Sequence, residues 1–214
     1  MVKKKVRSKK VLKKNFYEIE VPMTAVKVHL YGSSVDDLDG RTIKLDLTKS
    51  LRGKSLELKM RVKSDGEKLT ADPISVELVA SYIRRNMRRG TDYVEDSFDV
   101  NCRDAVARTK IFLITRRRVS RAVRKALRDA ARKYVEKHIK IRDKKEVFSD
   151  ILANKLQKSI TLTLKKIYPL ALCEIKAFKV ISVREEDETV EDKQIEEIKK
   201  RKEVEKVEEK EKKD

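Results

Sequence analysis

Seven cationic side chains and no acidic one occur in the fifteen residues "ITRRRVSRAVRKALR", positions 114–128. They are Arg116, Arg117, Arg118, Arg121, Arg124, Lys125 and Arg128. Guanidinium groups bind phosphate in bidentate geometry and also stack on nucleic-acid bases. Like charges three or four residues apart destabilise an isolated helix, so folding alone does not favour this arrangement. We therefore predict that the segment contacts a polyanion.

Two more clusters of positive charge have the same character. One is "RRNMRR" at 84–89, from which we predict contacts by Arg84, Arg85, Arg88 and Arg89. The other is an acid-free N-terminal arm at 1–14, from which we predict contacts by Lys3, Lys4, Lys5, Arg7, Lys9 and Lys10. With a formal net charge of +19 over 214 residues, the chain is typical of proteins that bind nucleic acid or an anionic membrane surface.

Nucleic acid is the better of these two partners. No run of about 20 apolar residues could span a bilayer, and the N-terminus lacks the apolar region of a secretory signal. We therefore expect no membrane partner and a cytoplasmic location. Zinc-finger spacing, a basic zipper, a clear helix-turn-helix and an aromatic-rich sheet are all missing from the pattern, so a folded RNA of irregular shape is favoured over DNA.

An enzymatic reading has little support. The carboxylates of "DDLDG", which are Asp36, Asp37 and Asp39, could hold a divalent cation for a nuclease, but a turn ending in Gly40 explains them better. There is no glycine-rich phosphate loop and no nucleophile motif. We predict no catalysis and no cofactor.

The potential metal ligands are few and scattered. Cys102 and Cys173 belong to no CxxC pair, and only His29 and His138 could join them. This spacing does not match the usual zinc sites, so we predict two reduced, partly buried thiols and no bound metal.

Alternating apolar and polar residues predict strands on both sides of one helix. Four strands come first, in "FYEIEV" (16–21), "AVKVHLY" (25–31), "RTIKLDL" (41–47) and "SLELKMRVKS" (55–64). The spacing then becomes helical at 73–88, with Pro73 placed for a first turn and Gly90 just beyond the end. Two further strands follow, in "DYVEDSFDVNC" and "AVARTKIFLIT", joined near Arg103 and Asp104.

The cationic segment itself opens an amphipathic helix that runs to about residue 138. Its predicted core face is Val119, Ala122, Val123, Ala126, Leu127, Ala130, Ala131 and Tyr134. On the opposite face we predict a row of Arg117, Arg121, Arg124, Arg128 and Arg132, because their spacing of three or four residues stacks them along one side.

The C-terminal third predicts one or two helices and a last strand. "DKKE" at 143–146 and "NKLQ" at 154–157 resemble capping boxes, which leaves open whether one helix or two lie between them and Pro169. "ALCEIKAFKVISV" (171–183) predicts the strand. The chain thus divides into the arm at 1–14, one α+β RNA-binding domain at 15–183, and a tail at 184–214, helical or disordered, with ten basic and fourteen acidic residues.

Three segments resemble the small-subunit ribosomal protein family called S-three-A, of archaea and eukaryotes. They are "GRTIKLDL" (40–47), "LITRRRVSRAVRKALR" (113–128) and "KKIYPLALCEIKAFKVI" (165–181), of which Thr-Arg-Arg-Arg and Ile-Tyr-Pro-Leu are the most specific pieces. The resemblance covers about residues 9–183, and the chain looks like an archaeal member.

The resemblance implies a fold and a role. The fold is α+β, with a curved, mostly antiparallel, barrel-like sheet flanked by helices. The role is structural: binding small-subunit rRNA and neighbouring proteins on the platform near the mRNA exit, with mRNA a further candidate partner and no homo-oligomer. Residues 116–118 match the family's basic triplet at the start of the helix, which we expect to contact rRNA. A free RNA-binding or RNA-annealing protein is the alternative, and a metal-dependent nuclease is a distant third.

Overall fold

The structure, a computed structural model, describes residues 13–24, 26–51, 53–65 and 68–183, and these form eight strands and four helices. The strands are β1 (Asn15–Ile19), β2 (Val28–Gly32), β3 (Thr42–Asp46), β4 (Leu56–Asp65), β5 (Lys68–Leu78), β6 (Tyr93–Asn101), β7 (Ala105–Thr115) and β8 (Leu170–Val183). The helices are α1 (Ala80–Asn86), α2 (Arg121–Lys140), α3 (Lys144–Leu152) and α4 (Lys155–Leu164). The predicted arm, except for Lys13 and Lys14, and the predicted tail lie outside the described residues.

The large sheet has six antiparallel strands in the order β3-β4-β5-β8-β7-β6. The predicted α+β class is confirmed, but the sheet is not a closed barrel. A barrel would need its edge strands β3 and β6 to pair, and in the described residues they do not. Among the described residues, the short β5–β8 ladder from Ser75 to Glu77 is the one that joins the two halves of the sheet. β1 and β2 form a separate two-stranded ribbon.

Period-two alternation correctly predicts every strand except β5. The predicted helix at 73–88 is wrong in its first half: β5 continues to Leu78, and α1 covers only Ala80–Asn86. Leu69, Ala71 and Pro73 are buried in alternation, as in a strand. The missing N–H of Pro73 is tolerated because its position faces a register shift in β4 and precedes the pairing with β8.

Two helices, not one, fill the segment before Pro169. They are separated at Asn154, whose φ of 57° is left-handed. The predicted capping boxes do not form, since neither Asp143 nor Asn154 makes a side-chain capping bond in this part of the described chain. The Lys144 N–H at the start of α3 donates instead to Asp104 Oδ1, 2.8 Å away in the β6–β7 turn.

The core lies between the large sheet and the helices α2, α3 and α4. Phe148 of α3 meets Phe178 of β8 edge to face, with ring centroids 5.0 Å apart. Three polar side chains form a hydrogen-bonded cluster in the same region. Lys54 Nζ donates to Glu174 Oε2 at 2.5 Å and to Asn154 Oδ1 at 2.6 Å. Burial raises the pKa of the Glu174 carboxyl, although Lys54 acts in the opposite direction. These bonds fix the α3–α4 turn against β8.

Candidate nucleic-acid interface

The predicted arginine triplet lies in a loop and not on a helix. Residues 116–118 connect β7 to α2, and all three side chains are exposed. The helix begins at Arg121, and Ser120 caps it by accepting a hydrogen bond from the Val123 N–H at 3.4 Å. Two residues, Val119 and Ser120, separate the triplet from the helix. Arg117 is therefore not part of the predicted helical row.

Asp92 holds this loop in place. Its Oδ2 accepts from the Val119 N–H at 2.9 Å, and its backbone carbonyl accepts from the Thr115 N–H at 2.9 Å. Thr115 Oγ1 accepts from the Asp92 N–H at 3.1 Å and donates to the Arg117 carbonyl at 2.7 Å. The loop that carries the triplet is thus fixed by hydrogen bonds at both of its ends.

The second basic cluster adjoins the first. Arg84 and Arg85 lie on α1, Arg88 and Arg89 lie in the turn after it, and all four are exposed. This turn leads directly to Asp92, whose bonds to the 115–119 loop bring the two clusters to the same end of the β6–β7 hairpin.

Arg85 differs from the other three arginines of its cluster. Its NH2 donates to the Gly53 carbonyl at 3.0 Å, and its guanidinium carbon lies 5.5 Å from the Tyr82 ring centroid. It is therefore committed in part to contacts within the chain.

The cations of α2 face a groove. Arg121, Arg124, Lys125 and Arg128 line one wall of a cavity of about 380 Å³, and Tyr93 and Val94 of β6 line the other. Asp129 also lines it. The first turn of α2 contains no acidic residue. We call residues 116–118 and these four cations together the basic surface.

The helix is rotated relative to the predicted orientation. Leu127, Ala131, Val135 and Ile139 are buried, at the four-residue spacing of one helix face. Of the predicted core positions, Ala122 and Ala126 are exposed. The basic row consequently lies beside the core-facing side and next to β6, not opposite the core.

Arg132 continues the predicted row and is exposed, but its guanidinium also contacts protein. Its Nε donates to Glu136 Oε1 at 2.8 Å, and its guanidinium carbon lies 5.2 Å from the ring centroid of Phe98. The hydrogen bond to Glu136 raises the pKa of Arg132. The cations with phosphate-binding potential therefore end at Arg128.

Two of the three carboxylates considered for a nuclease have structural partners. Asp36 and Asp37 lie in a short 3-10 helix (Asp36–Leu38), and Gly40 has a φ of 72°, which confirms the predicted turn. Asp37 Oδ2 accepts from Arg41 NH2 at 2.9 Å, and Asp39 Oδ1 accepts from the Ser64 N–H at 3.0 Å.

The thiols and histidines form no site together. Cys102 and Cys173 are both free and buried, and burial raises the pKa of Cys102 to about 11 and that of Cys173 to about 12. Within the described ranges no group of histidine, cysteine or acidic side chains is arranged to hold a metal ion. Among the helices described here, none has both the length and the apolar character needed to cross a bilayer.

Two contributors to the surface were missed by sequence reasoning. Asp92 and Tyr93 stand at the start of a strand that was predicted correctly, but their position beside α2 depends on how the helix packs. The sequence marks these two residues only by their position, directly after the arginine cluster at 84–89 and the turn at Gly90.

Comparison with known proteins identifies the family of the chain. Residues 2–184 match the model of the Ribosomal S3Ae family. A protein of Desulfurococcus amylolyticus called small ribosomal subunit protein eS1 is 27% identical over 178 residues, covering 79% of this chain and 84% of that protein. Proteins of the same name from Pyrobaculum neutrophilum and Pyrobaculum calidifontis are 26% and 27% identical, covering 69% and 70% of this chain and 69% and 68% of their own lengths. The match spans nearly the whole sequence, and the chain belongs to the Ribosomal S3Ae family.

Proposed function

We propose that this chain is a structural protein of the small ribosomal subunit, in the cytoplasm, and that it binds rRNA through the basic surface. The observation that carries the proposal is the clustering of seven cations, six of them exposed and Arg124 half-buried, on a loop and a helix that other bonds hold fixed. The family membership and the names of the relatives support the ribosomal setting.

The geometry suits phosphate binding. A guanidinium that is already positioned loses less conformational entropy when it binds, so a fixed loop favours tight contacts. From Arg121 to Arg128 the helix advances about 10 Å, at 1.5 Å per residue. This length allows the α2 cations to contact several consecutive phosphates of one strand, while residues 116–118 reach a neighbouring segment.

The finer role follows from the family resemblance. The protein sits on the platform of the small subunit near the mRNA exit, where it contacts neighbouring platform proteins and mRNA leaving the subunit. It acts as a single copy and performs no catalysis. The cations of 84–89 and of the N-terminal arm extend the rRNA contact beyond the basic surface.

Sedimentation tests the proposal against a free RNA-binding or RNA-annealing protein. An extract of cells that contain the chain is run through density gradients at low and at high monovalent salt. Electrostatic binding alone weakens steeply with salt, whereas a docked ribosomal protein also keeps shape and packing contacts. We expect co-migration with the small subunit at both salt concentrations.

A joint Arg117→Ala and Arg121→Ala variant should occupy fewer subunits at high salt. A joint Lys133→Ala and Lys137→Ala variant, which removes the same charge from another face of α2, should remain bound. If the unaltered chain appears only in light fractions at high salt, the free RNA-binding protein is the correct assignment.

A further inference from the structure

The groove between α2 and β6 combines an aromatic ring with cations. Tyr93 is 53% exposed, and its ring centroid lies 6.1 Å from that of the buried Phe112, tilted by 32°. The ring is therefore supported from within the sheet and is still accessible. Tyr93 lines the same cavity as Arg121, Arg124 and Lys125.

The course of β6 along α2 places Tyr93 near the start of the helix. Further along both elements, Phe98 lies under Arg132. Five strand residues advance about 16 Å, and eleven helix residues advance about the same distance. At the level of Arg121 this position on β6 is Tyr93, which the bond between Asp92 and the Val119 N–H also places near the helix start. Because strand side chains alternate, Tyr93 lies on the opposite face of β6 from Val94 and Phe98, and it lines the groove from the free edge of the sheet.

One group in this wall is buried without a partner. The Nε of Arg124 makes no hydrogen bond within the part of the chain that the structure describes, although it is shielded from solvent. A buried N–H donor without an acceptor is costly, and a turn of the Arg124 side chain toward the groove would let an anionic oxygen bound there satisfy it. This observation is independent of the exposure of the Tyr93 ring.

We propose that this groove binds one unpaired nucleotide of an RNA strand. The base stacks on Tyr93, and its phosphate is bound by Arg121 and Arg124. The volume of about 380 Å³ suits one nucleotide and is too small for a double helix. Sequence-selective proteins bind unpaired bases by stacking them on aromatic rings in this way. The inference rests on the proposed function and goes beyond it, because phosphate contacts alone do not distinguish paired from unpaired RNA.

Asp129 adds a negative charge to a groove whose other charged residues are cations. It lies two helical turns beyond Arg121, about 12 Å along the axis, and lines the same cavity. A carboxylate there repels phosphate and accepts hydrogen bonds from the amino group of a base. The phosphate is therefore held at the end of the groove near Arg121, and the edge of the base points toward Asp129.

Tyr93→Leu and Tyr93→Phe variants of the full chain test this. Leucine keeps an apolar side chain against Phe112 but removes the aromatic face, and phenylalanine keeps the face. The probes are three labelled RNAs: a hairpin with an unpaired loop, the same hairpin with an abasic loop, and a fully paired duplex without a loop. We expect Tyr93→Leu to bind the intact loop about fivefold or more weakly, with unchanged affinity for the other two RNAs. Tyr93→Phe should match the unaltered chain on all three.

A 2-aminopurine base in the loop gives a readout of stacking. Its fluorescence should be quenched by the unaltered chain and by Tyr93→Phe, but not by Tyr93→Leu. The inference is overturned if the unaltered chain leaves the fluorescence unquenched, or if Tyr93→Leu weakens the abasic and intact loops equally. Failure of the unaltered chain to bind any of the three RNAs would instead contradict the proposed function.

Discussion

Replacing Arg117 and Arg121 together by alanine tests whether the basic surface binds RNA through phosphate contacts. Both side chains are exposed, and neither takes part in an ion pair or side-chain hydrogen bond that involves the described residues. Exposed substitutions of this kind usually change the free energy of unfolding by about 0.5 kcal/mol or less. A loss of RNA affinity can therefore be assigned to the interface and not to misfolding.

The size of the effect follows from counterion release. Each lost phosphate contact changes the slope of log affinity against log salt concentration by about 0.7 to 0.9. Two lost contacts should make the slope shallower by about 1.4 to 1.8, and weaken binding about 25- to 60-fold near 0.1 M salt. The lysines of the N-terminal arm add the same contribution to every variant, so they cancel in the comparison.

Fluorescence anisotropy with one labelled hairpin RNA, between about 50 and 300 mM KCl, measures the slope. The matched control is Lys133→Ala with Lys137→Ala, which also removes two charges from α2. By the 100° step of an α-helix, these lysines lie about 120° to 160° around the axis from Arg121. Equal changes of slope in the two double variants would refute the phosphate-contact explanation, because only the total charge would then matter.

Three further predictions concern the interior of the domain. At pH 7, Glu174→Gln should lower the free energy of unfolding by about 3 kcal/mol, since it leaves the Lys54 ammonium buried without its counter-charge; a denaturant-measured loss below about 1 kcal/mol would contradict this. Burial lowers the pKa of His138, so the unfolded state binds the proton more readily and stability falls as the pH drops below about 6.5; in urea titrations His138→Gln should remove that part of the pH dependence. Burial raises the pKa values of Cys102 and Cys173, so iodoacetamide at neutral pH should label them only after unfolding, and rapid labelling of the native chain would show that the thiols are accessible.

Local patterns were sufficient for most of the fold. Where apolar residues alternate over five or more positions, as in β4 and β7, the predicted strand forms, because one face of each strand is buried by the sheet. The failure at 73–88 has a specific cause. Pro73 and the following apolar residues fit a helix start, but the sheet supplies partners that local spacing cannot reveal, and a bulge accommodates the proline.

The candidate site was predicted in composition but not in arrangement. The arginines of 116–128 are exposed except for the half-buried Arg124, yet the triplet lies on a loop because Thr115 and Asp92 end the strand before the helix can begin. The contributions of Tyr93 and the Arg124 Nε depend on the packing of α2 against β6. Contacts between elements distant in sequence determine that packing, so no pattern within either element indicates it.

Arginine modification in the assembled particle tests the central claim most directly. The isolated chain and purified small subunits are treated with phenylglyoxal, and the modified positions are identified by mass spectrometry. We predict that Arg116, Arg117, Arg118, Arg121 and Arg128 react readily in the isolated chain and are protected in the small subunit. Equal reaction rates in the two samples would contradict the assignment of the basic surface to rRNA.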